Sequence, residues 1–467
     1  MGFHTPQFLI LVFIAFVLFA VAKGRYKLVV LATFDALFYL YAGIMHLALL
    51  VGASLVSYYS GIMMTGRRKK LAVVIGVGLN LLNLAFFKYY HFVLENLSRF
   101  ATLPPGLISL KTILPIGISF YTFQLVAYLI DVYRGDLKPI KSFLEFWVFI
   151  SFFGQVIAGP IMRASAFAPQ VASTSEWEFD SERFKKAVLL FTLGLMKKLL
   201  IADSLAPLVD KYFSRGSAMS SVDIWIAAYL FGFQVYYDFS AYSDMALGVG
   251  HLFGYDLAQN FRCPYLSENP SEFWSRWHIT LSTWIRDYLY IPMGGSRNGF
   301  TRGLVAVVLS MCISGLWHGA SWTFVLWGLY HGLLSAGHRI WEKTLAKRIR
   351  GGKLIRCLNV FLFLQLTMIG WVFFRVQLMS DLVPLLRKMI TFSDFSAGPH
   401  VAAYLSLVVC LYGLHIAEYV GRRSTQIYAR WSQRVPLAIR GLGWASIAFL
   451  ICLFIRPKPN AFIYFQF

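Results

Sequence analysis

Apolar runs long enough to cross a bilayer alternate with short clusters of Lys and Arg along almost the whole chain. The first run, residues 8–22, ends in Ala20-Val21-Ala22. No Lys or Arg precedes it, and Lys23, Arg25 and Lys27 follow it. It therefore reads as a retained helix with its N-terminus outside the cytoplasm, not as a cleaved signal. Residues 28–64 predict two crossings before the cluster Arg67 to Lys70. Residues 71–94 then lead outward to a short loop at 101–112, marked by Pro104-Pro105-Gly106, and 113–130 return to Arg134, Lys138 and Lys141. Further cytoplasmic segments are expected at 253–302, 339–356 and 421–440, and a last run at 441–455 leaves the C-terminus outside. With about 20 residues per span, the pattern accommodates about eleven membrane-embedded helices. The fold class is all-α and polytopic, a single membrane-embedded domain over 1–467.

Two stretches do not fit simple spans. Residues 143–163 contain Gly154, Gly159 and Pro160, poor material for a straight helix. Residues 303–338 number only 36 between basic clusters, while two spans need about 40 and a turn. Short broken helices would meet this, re-entrant or interfacial, and irregular backbone at that depth needs protein or a wet cavity around it. The centre of that stretch is Ser314-Gly-Leu-Trp-His-Gly-Ala-Ser-Trp322.

Composition agrees with lipid as the solvent. Of the 467 residues 58% are hydrophobic and 14% charged, against about 25% charged in soluble domains. The net charge of +21 comes in clusters between apolar runs. That distribution fits positive-inside topology and anionic headgroups, not nucleic acid. The five cysteines, Cys263, Cys312, Cys357, Cys410 and Cys452, form no CxxC pair. Neither a disulfide nor a structural metal is expected.

Polar residues inside apolar sequence are the candidates for chemistry. His318 sits among Trp317, Gly319 and Trp322. An imidazole there can move a proton at neutral pH; the alternative is a core histidine bonded to a carbonyl. Gly319 would let a substrate approach. His278 lies in a Trp-rich segment, 272–290, where a helix would place Trp274, Trp277, His278, Leu281 and Ile285 on one face. The alternative is an interfacial anchor. Asp238 and Asp244 interrupt the apolar run 224–253 and need partners or a cavity; helix–helix bonding is the competing reading. His331 is a weaker candidate of the same kind. No GxSxG elbow, HExxH or P-loop is present, so any acyl transfer would be direct, without a serine-triad acyl-enzyme.

Glu272-Phe-Trp-Ser-Arg-Trp-His278-Ile-Thr-Leu-Ser-Thr-Trp284, followed by Trp317-His318-Gly-Ala-Ser-Trp322, resembles the membrane-bound O-acyltransferases. Further matching segments are Leu114 to Phe123, Gly159-Pro-Ile-Met-Arg163, Tyr237 to Ala246, Tyr290 to Arg297 and the ending Phe462 to Phe467. The bacterial branch that acetylates exported polysaccharide is the nearest match, and teichoic acid D-alanyl transferases are similar in the same motifs. Ala241 departs from the pattern, which has Gly there.

The resemblance implies a ring of membrane helices around a central tunnel. His318 matches the family's histidine, and His278 its second active-site polar residue. The expected reaction moves an acetyl group from cytoplasmic acetyl-CoA to a polysaccharide hydroxyl, directly or through an extracytoplasmic acetyltransferase partner, in a bacterial inner membrane. Arg276, Arg286 and Arg297 suit the donor phosphates. Trp274, Trp277, Trp317 and Trp322, with Asp238 and Asp244, complete the expected binding set. No bound cofactor is expected. Two alternatives stand beside it: an acyltransferase using a carrier-protein thioester such as D-alanyl, and a transporter without catalysis, which the lack of an inverted repeat disfavours.

Overall fold

The computed structural model describes residues 2–467 except 65, 111, 158, 298, 345–351, 397, 424–444, 447–448, 452, 455–461 and 464–467. Among the described residues every regular element is helical. The expected segment 421–440 and the run 441–455 fall largely outside them. Five helices are long and apolar enough to cross a membrane: Ile44–Ile62, Gly66–Leu97, Phe300–His318, Lys353–Arg375 and Val401–Gly421. The chain is thus a multi-pass membrane protein. It divides into two compact units, 1–194 with 242–259, and 195–241 with 260–467.

The first unit opens with α1 (Pro6–Val21), whose Thr5 cap accepts a hydrogen bond from the Phe8 N–H. The run 28–64 becomes α2 (Tyr26–Ala42) and α3 (Ile44–Ile62), parted at Gly43, whose φ of 133° only glycine adopts readily. Next comes α4 (Lys69–Leu84), which continues helically to Leu97. The following helix, α5 (Ile118–Arg134), starts several residues later than the hydropathy pattern because Pro115 and the left-handed Gly117 precede it. The break expected at 143–163 is present. Helix α6 (Phe143–Ser151) stops, and the chain runs on to Arg163 without regular structure.

That irregular stretch is buried, so its backbone needs partners. Asp35 on α2 supplies them: its carboxylate accepts from the Phe153 N–H at 2.8 Å and from Ser151 Oγ at 3.2 Å. The Gln155 side chain donates to the Phe149 carbonyl. A Cβ on Gly159 would lie 2.4 Å from Gln155 Cα, so the chain folds on itself there.

The long helix α7 (Ser221–Leu252) gives its residues up to Ala241 to the second unit and the remainder to the first. The second unit continues with α8 (Pro270–Trp274), α9 (Ile279–Ile285), α10 (Phe300–His318), α11 (Trp322–Thr344), α12 (Lys353–Arg375) and α13 (Val401–Arg423). Two expectations are corrected here. Residues 303–338 are not short broken helices. They lie within two continuous helices of 19 and 23 residues, α10 and α11, joined at Gly319 to Ser321. The flanking cations Arg302, Arg339 and Lys343 are part of these helices, because long basic side chains can carry their charge outward from a helix end. The two backbones touch at Gly315 and Gly328, where an added Cβ would lie 2.1 Å from the Phe324 carbonyl and 2.2 Å from the Met311 carbonyl. Secondly, 272–290 is not one helix: α8 and α9 are separate, and His278 stands between them with φ 40°, ψ 55°.

Candidate active site

His318 is the last residue of α10, at the helix's carbonyl end, and is buried. Its ring lies against Trp317, Trp327 of α11 and Phe374 of α12, at centroid distances of 4.9, 5.0 and 5.4 Å. Trp317 also faces His278, 6.2 Å from that ring. One indole therefore stands against both imidazoles that the sequence singled out. Gly319 has a different use from the expected one. A Cβ there would meet the Phe324 ring at 2.1 Å, so the chain's own aromatic side chain occupies that approach.

His278 is buried against Phe239, whose ring is 4.6 Å away and nearly perpendicular. Its left-handed backbone is uncommon for a residue with a side chain, though histidine tolerates it better than most. Asn260 holds the local geometry. The Ile279 N–H donates to the Asn260 carbonyl at 2.9 Å, and Asn260 Oδ1 accepts from Thr280 Oγ1 at 2.7 Å and from the Thr280 N–H at 3.4 Å. The same oxygen lies 3.4 Å from His278 Nδ1. An oxygen accepting from a backbone N–H is placed to accept from Nδ1–H too, which leaves Nε2 with its lone pair. Burial holds the His278 pKa below its ordinary value, so the ring is neutral.

Trp277 packs in the same region, 4.8 Å from Trp371 and 5.1 Å from Phe261. Trp274 lies against Trp327 and His331. Trp322 begins α11 and is partly exposed. Arg276 is ion-paired to Glu272. Arg286 is exposed beside Asp287, 2.8 Å away, and Arg297 is exposed.

Asp238 is committed to structure. One oxygen is 2.7 Å from Lys198 Nζ, which also pairs with Asp203 at 2.9 Å, and the other accepts from the Ile463 N–H at 2.8 Å. Phe462 packs on Phe239 at 5.5 Å, so the start of the closing motif is anchored on α7; residues 464–467 lie outside the described ones. This favours the helix-bonding reading of Asp238 over substrate contact. Asp244, six residues on, is buried in the first unit.

Sequence reading passed over Asn260, Trp327 and Phe374, and ranked His331 low. His331 is buried against Phe273, Trp274 and Trp327, and neither of its ring nitrogens has a hydrogen-bond partner. The aromatic density of 322–331 was the available signal for Trp327; nothing around Asn260 marks it. One cluster of metal-ligand type occurs among the described residues: Cys263, His415 and Glu418 bring ligand atoms within 4.8 Å of one another. Glu418 already accepts from Lys197 at 2.7 Å and from Tyr236 at 2.8 Å. A cation would compete with an ammonium there, so the group reads as an ion-paired contact between helices.

Two buried histidines, His318 at the end of α10 and His278 between α8 and α9, thus share one aromatic cluster through Trp317. The model of the membrane-bound O-acyltransferase family, MBOAT, matches residues 137–374. The chain belongs to that family and is an O-acyltransferase. A protein named probable alginate O-acetylase AlgI, from Azotobacter vinelandii, is 36% identical over 89% of this chain and 85% of its own length. The peptidoglycan O-acetyltransferase of Helicobacter pylori is 34% identical over 84% of this chain and 80% of its own. The teichoic acid D-alanyltransferase of Streptococcus thermophilus is 29% identical over 56% of this chain and 68% of its own. Membership of an enzyme family replaces the reading as a transporter without catalysis.

Proposed function

We propose that the protein transfers an acetyl group from cytoplasmic acetyl-CoA, through a tunnel in the bacterial inner membrane, to a hydroxyl of an exported polysaccharide. The relatives acting on alginate and peptidoglycan support an acetyl group and a polymer acceptor. The acceptor receives the group directly or through an extracytoplasmic acetyltransferase partner. The observation that carries the reading is the Trp317 indole standing against both His278 and His318.

His318 acts as general base. Its imidazole takes the proton of the acceptor hydroxyl as that oxygen attacks the thioester carbonyl. The resulting imidazolium sits at the carbonyl end of α10, where the helix dipole favours a cation. The C–S bond then breaks, and the leaving thiolate takes the proton from the imidazolium, giving the O-acetyl ester and free CoA. His278, with Nε2 as an acceptor, suits an amide N–H of the pantetheine arm better than the oxyanion of the tetrahedral intermediate. Trp277 and Trp317, both buried, with Trp274 beside them, exclude water from the thioester. Arg297, exposed, is better placed for phosphate than Arg276 and Arg286, which Glu272 and Asp287 already neutralise.

The test is acetyl-CoA turnover in a native membrane extract containing the acceptor, comparing wild type with His318→Ala and checking folding by monodisperse elution. Loss of a general base predicts a fall of about 10²- to 10⁴-fold. Equal turnover in a folded variant overturns the role of His318. Turnover with a D-alanyl carrier thioester and none with acetyl-CoA moves the protein to the D-alanyl reading.

A further inference from the structure

A second feature of the second unit is lined by neither His278 nor His318. A cavity of about 690 Å³ opens between α12 and α13, a size typical of small-molecule sites. Its two ends differ. One carries Glu268, Glu272, Arg276 and Arg356, arranged as two ion pairs: Arg356 Nε donates to Glu268 at 2.8 Å, and Arg276 pairs with Glu272. The other is apolar, lined by Phe361 and Leu364 of α12 and by Val408, Val409 and Ile416 of α13. Both helices are long and apolar enough to cross a membrane.

Length along α12 sets the scale of the cavity. From Arg356 to Leu364 is eight residues, about 12 Å at 1.5 Å each. That is a little less than half the hydrocarbon thickness of about 30 Å. The charged end near the start of α12 thus stands at a membrane interface, and the apolar end reaches into one leaflet. Val409 and Phe361 are well exposed, at 71% and 58% of their surface, as side chains facing lipid would be.

We infer that this cavity binds a phospholipid with a zwitterionic, primary-ammonium headgroup, a phosphatidylethanolamine, with an acyl chain between α12 and α13. The charges select the headgroup. Arg356 beside Glu268 and Arg276 beside Glu272 present both signs together, so a headgroup carrying a phosphate and an ammonium matches both by exchanging one set of ion pairs for another. The four side chains sum to zero charge. Such a neutral set leaves the extra negative charge of an anionic lipid, or of the phosphates of a CoA thioester, without compensation. The site is therefore distinct in chemistry from the donor site proposed above. It gives this half of the protein a structural lipid rather than a substrate.

The experiment is native mass spectrometry of the full chain released from nanodiscs containing phosphatidylethanolamine and phosphatidylglycerol in equal amounts. The expected result is one retained lipid, with phosphatidylethanolamine favoured about tenfold, the factor that two interfacial charge contacts support together. Arg356→Glu should erase the preference. Val409→Trp should expel the lipid by filling the apolar end, and its exposed position lets the fold accept the larger side chain. A preference for phosphatidylglycerol, or a lipid retained equally by Val409→Trp, overturns the inference. A wild-type chain that carries no lipid overturns it as well and assigns the cavity to a segment of the chain itself.

Discussion

Helical order is broken inside the protein at two places that differ in origin. At 152–163 the break is written in the composition: Gly154, Gly159 and Pro160 cannot sustain a helix. The surroundings accept this at little strain, because Asp35 receives the freed Phe153 N–H. At His278 the neighbours Ser275, Arg276, Trp277 and Ile279 are all compatible with a helix, yet the backbone turns left-handed. That conformation costs about 1 kcal/mol or more in a residue other than glycine, and Asn260 holds it. A break supplied by glycine and proline serves the fold. A break imposed on a histidine against the local preference points the imidazole at one place, and strain of that kind concentrates at functional sites.

The largest expected effect separates these two roles at His278 itself. His278→Gly removes the backbone strain and the imidazole together. Its turnover should fall on the order of 10²-fold, the lower range for a lost proton-handling or positioning side chain. Its thermal stability should fall by less than the cavity left by the buried ring alone would cost, because relief of the backbone strain offsets about 1 kcal/mol of it. His278→Asn keeps a hydrogen-bonding side chain and a tolerance for left-handed backbone, and should lose about tenfold at most, a contribution of roughly 1.4 kcal/mol. Near-normal turnover in the Asn variant would exclude proton transfer by His278 and leave positioning. A His278→Gly protein that fails to fold would show that the side chain supports the structure, and the contrast with 152–163 would collapse.

The complementary change is Asp35→Ala. It leaves the buried Phe153 N–H without its acceptor, a loss of about 1–3 kcal/mol. Thermal unfolding in detergent should drop accordingly, while turnover per folded molecule stays within about twofold of wild type, since general surface and core changes act through stability. A folded Asp35→Ala protein with much lower turnover would place the 152–163 break in catalysis and erase the distinction.

What could be read from the sequence follows the same division. Apolar runs, glycine and proline gave the helical class, the break at 143–163 and the two helices within 28–64. His318 stood out because an ionisable residue in apolar sequence is rare. The continuity of α10 and α11 was hidden because the helices absorb flanking cations that a span count excludes. Asn260 was hidden because its importance depends on His278 and Thr280, 18 and 20 residues away. Asp238 looked like a binding residue because its partner Lys198 is distant in sequence and the contact closes only on folding. Periodicity records which face a residue takes; it does not record a side chain holding another segment's backbone.

The smallest expected effect concerns pH. His278 is buried and neutral, with its pKa lowered by loss of solvent, whereas in the unfolded chain it titrates near 6.5. The unfolded state therefore takes up a proton that the folded state refuses once the pH falls below about 6.5. Above that value the two states bind protons alike and this residue adds no slope. One unit below it, at about pH 5.5, stability should be lower by about 1.4 kcal/mol on this account. The control is His278→Asn, which has no group to titrate. Measured as thermal midpoints between about pH 7.5 and 5.5, the wild-type curve should fall more steeply than the variant's by that amount, a few degrees. Parallel curves for wild type and His278→Asn would mean that the imidazole reaches water in the folded protein, and the sealed aromatic setting inferred for it would be wrong.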